Sequence, residues 1–188
     1  GSKMSKLDVV EIWKELHRMP EPGMNEFKTG AYLADALEKL GYEVTRGVGK
    51  TGVVGVVRGN EPGPVVMLRA DMDALPMQES ECNLAGPRTC RSAVDGVMHA
   101  CGHDGHTAAL LGAAKVLSQH PEVNKGRIIL MFERGEEATE NVVYLHKYIE
   151  EHNIHIDSAW GLHLFTNFEH GKFVVYDSYA LAGSLFFT

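Results

Sequence analysis

Cysteine is scarce in this chain. Cys82, Cys90 and Cys101 are the three in 188 residues, an odd number and too few for the disulfide framework of a small secreted scaffold. The expectation is a reducing, cytoplasmic setting, with free thiols at Cys82 and Cys90. Basic charge is also short: 18 Lys and Arg against 25 Asp and Glu give a formal charge of −7. With no basic stripe anywhere, neither nucleic acid nor an anionic membrane surface is expected as a partner. No segment approaches the roughly 18 to 20 uninterrupted apolar residues of a membrane span, and the opening GSKMSKLDVVEIW has no apolar signal core. Residues 1–4 read as an expression-tag remnant. Repeats and low-complexity tracts are missing as well. What is present is a 44% hydrophobic chain, enough for one core of ordinary size, so residues 5–188 are taken as one domain or part of one.

Hydrophobic spacing predicts helices and strands in alternation. Leu7–His17 repeats apolar residues at helical spacing until Pro20, Pro22 and Gly23 end it. Asn25 is expected to cap a second helix through Leu40, closed by Gly41. Tyr42–Arg46, Gly52–Arg58 and Pro64–Ala70 read as strands, the last apolar without alternation, as in a strand buried on both faces. Asp71–Val97 has no period and is expected to be one long loop. Asp104 is expected to cap a helix through Gln119; Gly126–Glu133 follows as a buried strand, Thr139–His152 as a helix, and Ser158–Leu164 and Lys172–Tyr176 as the last strands. This order predicts an α/β fold, a mixed and mostly parallel sheet flanked by helices.

The most informative stretch is HACGHDGH, His99–His106, which sets Cys101 and His103 two residues apart ahead of an apolar helix. Zn²⁺ and similar borderline-soft ions take thiolate and imidazole together, and a helix N-terminus is expected to lower the thiol pKa. From these residues alone, a metal-ligating pair and a metal-free His-rich loop stand level. Three more clusters at strand ends shift the balance, because α/β sheets build their sites beyond the carboxyl ends of strands. These are Asp71 and Asp73, Glu136 and Glu137, and His163. The other histidines, His17, His120, His146, His152, His155 and His170, are expected to face solvent.

RADMDALP (Arg69–Pro76), MHACGHDGHTAALLGAAKVL (Met98–Leu117), the Glu-Glu pair of FERGEE (Phe132–Glu137) and GLHL (Gly161–Leu164) together resemble the dinuclear metal-dependent amidohydrolases. That family cleaves N-acyl amino acids, includes aminoacylase-like enzymes, hippurate hydrolase and auxin-conjugate hydrolases, and is related to metallo-carboxypeptidases and aminopeptidases. The resemblance implies that the Cys101 thiolate bridges two divalent ions (Zn, Mn, Ni or Co), one also held by His103 and His163 and the other by Glu137. It implies that Glu136 is the general base acting on a metal-activated water, and that Asp73 orients a ligand. His99 and His106 are expected in hydrogen-bonded scaffold roles.

Two departures stand out. The family has Pro-Ala before the Glu pair and a glycine-rich turn after it, where this chain has Arg134-Gly135 and Ala138-Thr139-Glu140-Asn141. The chain also stops at SLFFT, where the family enters a lid and dimerisation domain. The resemblance therefore implies the N-terminal part of a catalytic domain, inactive by itself, whose parent is a homodimer through that lid. The alternative is a catalytically inactive relative kept for binding or interaction.

Overall fold

In the computed structural model, which describes residues 8–138 and 142–175, the chain begins with α1 (Val9–Arg18) and α2 (Phe27–Lys39). Strands β1 (Glu43–Val48), β2 (Gly52–Arg58) and β3 (Val65–Asp71) follow, then a two-residue hairpin, β4 (Cys82–Asn83) and β5 (Gly86–Pro87). Helix α3 (His103–Gln119), a 3₁₀ turn (Pro121–Val123), β6 (Arg127–Glu133), α4 (Val143–Glu151) and β7 (Ser158–Gly161) complete it.

Side chains of β6 show why the sheet needs helices on both faces. Leu130 and Phe132 enter a cluster with Ile12 and Leu16 of α1, Leu33 and Leu37 of α2, and Leu111 and Ala114 of α3. Ile129 and Met131, pointing the other way, meet Val54, Met67 and the apolar side of α4, including Tyr144 and Tyr148. A strand apolar at every position is stable only when covered on both faces.

The sheet order is β1-β2-β6-β3-β7. Ladders β1/β2 and β2/β6 are antiparallel and β6/β3 and β3/β7 are parallel, so β2 alone runs against the other four. The carboxyl ends of β6, β3 and β7 therefore lie side by side, with Asp71 paired to Glu133 and Arg69 to Gly161. The chain segments leaving those ends carry the acidic and histidine clusters.

Several local expectations are corrected. Asn25 does not cap α2. Its N-cap is Glu26, whose side chain makes no cap bond, and Glu21 does the work from a distance, accepting the amides of Lys28 and Thr29. Helix α3 starts from Gly102 at φ 93°, a left-handed conformation that favours glycine, and not from Asp104. The long loop is interrupted by the β4–β5 hairpin. Strand β7 ends at Gly161, leaving His163 on the segment beyond it, and residues 172–175 form no strand; Tyr176 lies outside the described residues, as do 139–141 at the start of the expected fourth helix. No helix among the described residues is long and apolar enough to cross a membrane.

His17 is the largest correction. Instead of facing solvent it is 5% exposed, with Nδ1 2.7 Å from Asp104 Oδ2 and Nε2 2.9 Å from Glu79 Oε1. It fastens α1 to the first turn of α3 and to the loop that follows β3. Helical spacing marks which face a residue occupies, not that a polar residue on the buried face has partners waiting. His120, His146, His152, His155 and His170 are exposed.

The Asp104 hydrogen bond raises the His17 pKa against the opposing effect of burial, and Glu79 adds to the rise. A raised folded-state pKa stabilises fully below the unfolded value of about 6.5, and the contribution is lost as pH climbs through the folded value. His17→Gln should therefore flatten the decline in urea-unfolding midpoint as pH rises above about 6.5. An unchanged slope would show that folding does not raise the His17 pKa.

Candidate metal centre

His103, the first residue of α3, is 1% exposed. Its Nδ1 lies 2.9 Å from the Asp73 carbonyl and 3.1 Å from Asp73 Oδ1, so Nδ1 carries the proton and donates. Nε2 is then the lone-pair nitrogen, and it is buried with no hydrogen-bond partner. Around it stand Asp71 Oδ2 at 3.4 Å, Glu136 Oε2 at 3.6 Å and Glu137 Oε1 at 3.9 Å. Cys101 and His163 stand beside each other, with Sγ 3.5 Å from the His163 Nε2. Ligand atoms of Cys101, His103 and His163 lie within 4.8 Å of one another, as do those of His103, Glu136 and Glu137. A buried acceptor nitrogen left unpaired among a thiol, a second imidazole and two carboxylates fits a divalent ion, the one partner that suits every donor in the group. Asp73, Cys101, His103, Glu136, Glu137 and His163 are thus brought to one place by four segments that are distant in sequence.

The supports behind these groups are equally specific. Asp73 Oδ2 accepts the Glu137 amide at 2.9 Å while Oδ1 faces His103, so one carboxylate sets both a histidine and the acidic turn. His106 is saturated: Nδ1 donates to Asp71 Oδ1 at 2.6 Å and Nε2 accepts the Leu164 amide at 2.9 Å. Both ring nitrogens being used, it ties the His163 segment to the end of β3. His99 is buried with neither nitrogen partnered, and burial pushes its pKa down to about 4.

Charge in the site is unevenly held. Burial opposes ionisation of Asp71, but the His106 hydrogen bond and the His103 and Arg69 charges outweigh it and bring the carboxyl to about 2. Burial raises Glu136, and the nearby Glu137 and Asp71 carboxylates add to that, offset in part by His103. Burial also opposes protonation of His103, yet Asp73 and Asp71 lift it to about 8, so a proton competes with a metal ion for Nε2. The Cys101 thiol overturns an expectation. Burial first, then a Glu137 hydrogen bond and the charges of Glu137, Glu136 and Asp71, push it up to about 12. A cation would be needed to make it a thiolate.

Two functional neighbours escaped the sequence reading. Arg69 is bound to Glu133 at 2.5 Å and to Asp71 at 3.0 Å; residues 69 and 71 share a strand face, so the period of two could have paired them. Glu26, wholly buried, carried no signal, since an acid at a helix start is ordinary.

The model of peptidase family M20/M25/M40 matches residues 67–176. An N-acyl-L-amino acid amidohydrolase of Geobacillus stearothermophilus is 38% identical over 97% of this chain and 48% of its own length. The IAA-amino acid hydrolase ILR1-like 4 of Arabidopsis thaliana is 40% identical over 95% of this chain and 39% of its own. Among solved structures, the YXEP protein of Bacillus subtilis, described as a dinuclear metal binding peptidase from the M20 family, superposes with a TM-score of 0.75 at 34% identity, covering 85% of this chain and 43% of that one. This chain therefore spans less than half the length of each of these three relatives. With the fold and the matched residues in agreement, the chain belongs to peptidase family M20/M25/M40.

Proposed function

We propose that the protein of which these residues form the catalytic core hydrolyses the amide bond of N-acyl amino acids or similar small peptide-like amides. The observation that carries this reading is the unpaired, buried Nε2 of His103, fixed from behind by Asp73 and surrounded by Cys101, Glu136 and Glu137. Cys101, His103 and His163 would hold one ion, and Cys101 and Glu137 would contribute to the second. When bound, such ions supply Lewis acidity, polarising the amide carbonyl and making a water acidic enough to be deprotonated near neutral pH.

This chain's own residues supply the proton path. Glu136, with its pKa raised by burial and by Glu137, accepts the proton of the attacking water as its oxygen bonds to the amide carbon. As the C–N bond breaks, Glu136 returns that proton to the departing nitrogen, leaving a carboxylate and an amine. Asp73 keeps the imidazole of His103 in one tautomer and the Glu137 amide in place, so neither ligand has to be reoriented during the reaction.

In the full-length protein, Glu136→Gln is expected to lower kcat by roughly two to four orders of magnitude with metal content unchanged. Parallel loss of metal would make Glu136 a ligand instead. Cys101→Ser replaces a soft donor by a hydroxyl and should weaken both metal positions together, read as stoichiometry by elemental analysis; one ion fully retained would refute the bridge. A protein of these 188 residues alone offers three protein ligands to one ion and two to the other. Titrated with Zn²⁺ or Mn²⁺, it should hold at most one ion and show no hydrolysis of N-acetyl or hippuryl amino acids. Two tight ions, or turnover, would show that the donor set is misassigned.

A further inference from the structure

The turn bearing Glu136 and Glu137 leaves β6 through Arg134 and Gly135, both buried, before the two carboxylates emerge. Its backbone is held by hydrogen bonds from remote segments. The Arg134 amide donates to the Tyr144 hydroxyl at 3.2 Å, the Gly135 amide to Glu26 Oε1 at 2.6 Å, and the Glu137 amide to Asp73 Oδ2 at 2.9 Å. Of these three acceptors Glu26 is the costliest to have there. It is 0% exposed, and its two bonds, from the Gly135 amide and from Thr51 Oγ1 at 2.7 Å, both come from neutral donors. A buried carboxylate whose hydrogen-bond donors among the described residues are both neutral is expensive, and a charge-assisted bond to a backbone amide is correspondingly strong and directional.

A second observation is independent of the carboxylate. The segment preceding Glu26 is seated directly on the same turn: a Cβ at Gly23 would lie 3.1 Å from Gly135 Cα and 3.2 Å from Asp73 Oδ2, and one at Gly135 would lie 3.2 Å from the Met24 sulfur. Gly135 itself has φ 62°, a conformation that a side chain disfavours. The backbone there is thus set in a geometry that needs both a close neighbour and a fixed amide direction.

We infer that Glu26 is a positioning residue for the catalytic turn: by accepting the Gly135 amide it aims the two carboxylates that follow, Glu136 at the reacting water and Glu137 at the ion. Thr51 is its brace, holding the second carboxylate oxygen so that the first cannot swing away. The role rests on the hydrolase reading for its chemical meaning, but the anchor itself is a property of the fold.

Glu26→Gln can keep both bonds, with its carbonyl accepting from Gly135 and its amide donating to Thr51, whereas Glu26→Leu keeps neither. In this chain, native-state amide exchange followed by NMR should show the Gly135 amide losing roughly ten- to a hundredfold of its protection in Glu26→Leu and retaining it in Glu26→Gln. In the full-length protein, kcat should fall in Glu26→Leu with KM little changed, and Glu26→Gln should restore it to within about threefold. Thr51→Val, which removes only the brace, is the milder variant and should move the same amide in the same direction. Unchanged Gly135 protection in both Leu and Val variants would overturn the proposal. So would a Gln variant as impaired as Leu, which would assign the effect to charge, or a loss of protection spread evenly over all amides, which would assign it to global stability. Glu26-dependent protection of Gly135 in a full-length protein without hydrolysis would support the anchor and count against the hydrolase reading instead.

Discussion

Asp73 joins the two halves of the site through a single buried carboxylate. One oxygen faces the Nδ1 of His103 at the head of α3, and the other takes the amide of Glu137 in the turn after β6. The residue is 1% exposed, so neither bond is diluted by water. Everything that lends the site its chemistry follows from this pairing. It decides which imidazole nitrogen keeps its proton, hence which one is left to bind, and it places the acidic turn within 4 Å of that nitrogen. Asp71 and His106 repeat the arrangement on the other side, tying β3 to the segment that bears His163.

The sheet makes such pairing geometrically available. Because β6, β3 and β7 run in one direction, three successive chain exits open on one edge, and the loop after β3 has to return there to start α3. The departures at Arg134 and Gly135 fall on the turn itself. Arg134 is buried against the Tyr144 ring at 4.0 Å and donates to the Gly49 carbonyl at 2.9 Å. The backbone at Gly49 fits under that tyrosine only because it has no Cβ, which would come within 2.3 Å of the ring. A cation stacked on an aromatic ring here ties the β1–β2 connection to α4.

Much of this was legible beforehand, for physical reasons that differ from element to element. The buried strands Gly52–Arg58 and Arg127–Glu133 announce themselves because β-branched and apolar runs bounded by glycine have few other stable fates. The donor residues Cys101, His103, Glu136, Glu137 and His163 were visible as types and spacings, and the structure gathers them. What spacing could not reveal is long-range satisfaction. His17, in α1, and Glu26, at the N-cap of α2, have partners 87 and 109 positions away, and no local pattern encodes a partner at that distance. The caps failed for the same reason: Glu21 satisfies α2 from outside the helix, so the residue at the cap position was free to do something else. The raised Cys101 pKa was not legible because burial and the Glu137, Glu136 and Asp71 carboxylates, which reach it from other segments at the same edge of the sheet, leave no mark in its own stretch of sequence.

The ties that build this site share one property, which is their span. His106 waits for Leu164, Asp73 for Glu137, Glu26 for Gly135 and Arg69 for Glu133, across 58, 64, 109 and 64 positions of chain. Closing loops of that size costs entropy that grows only slowly with length, but it delays the contacts until the intervening elements exist. A chain emerging from the ribosome can form α1, α2 and the β1–β2 pair early, while the Nε2 of His106 has no amide to accept until residue 164 is made. The two ties of the site thus become available in order, the Asp73–Glu137 bond once residue 137 is made and the His106–Leu164 bond only later, so the segment bearing His163 is fastened to an edge whose acidic turn is already in place.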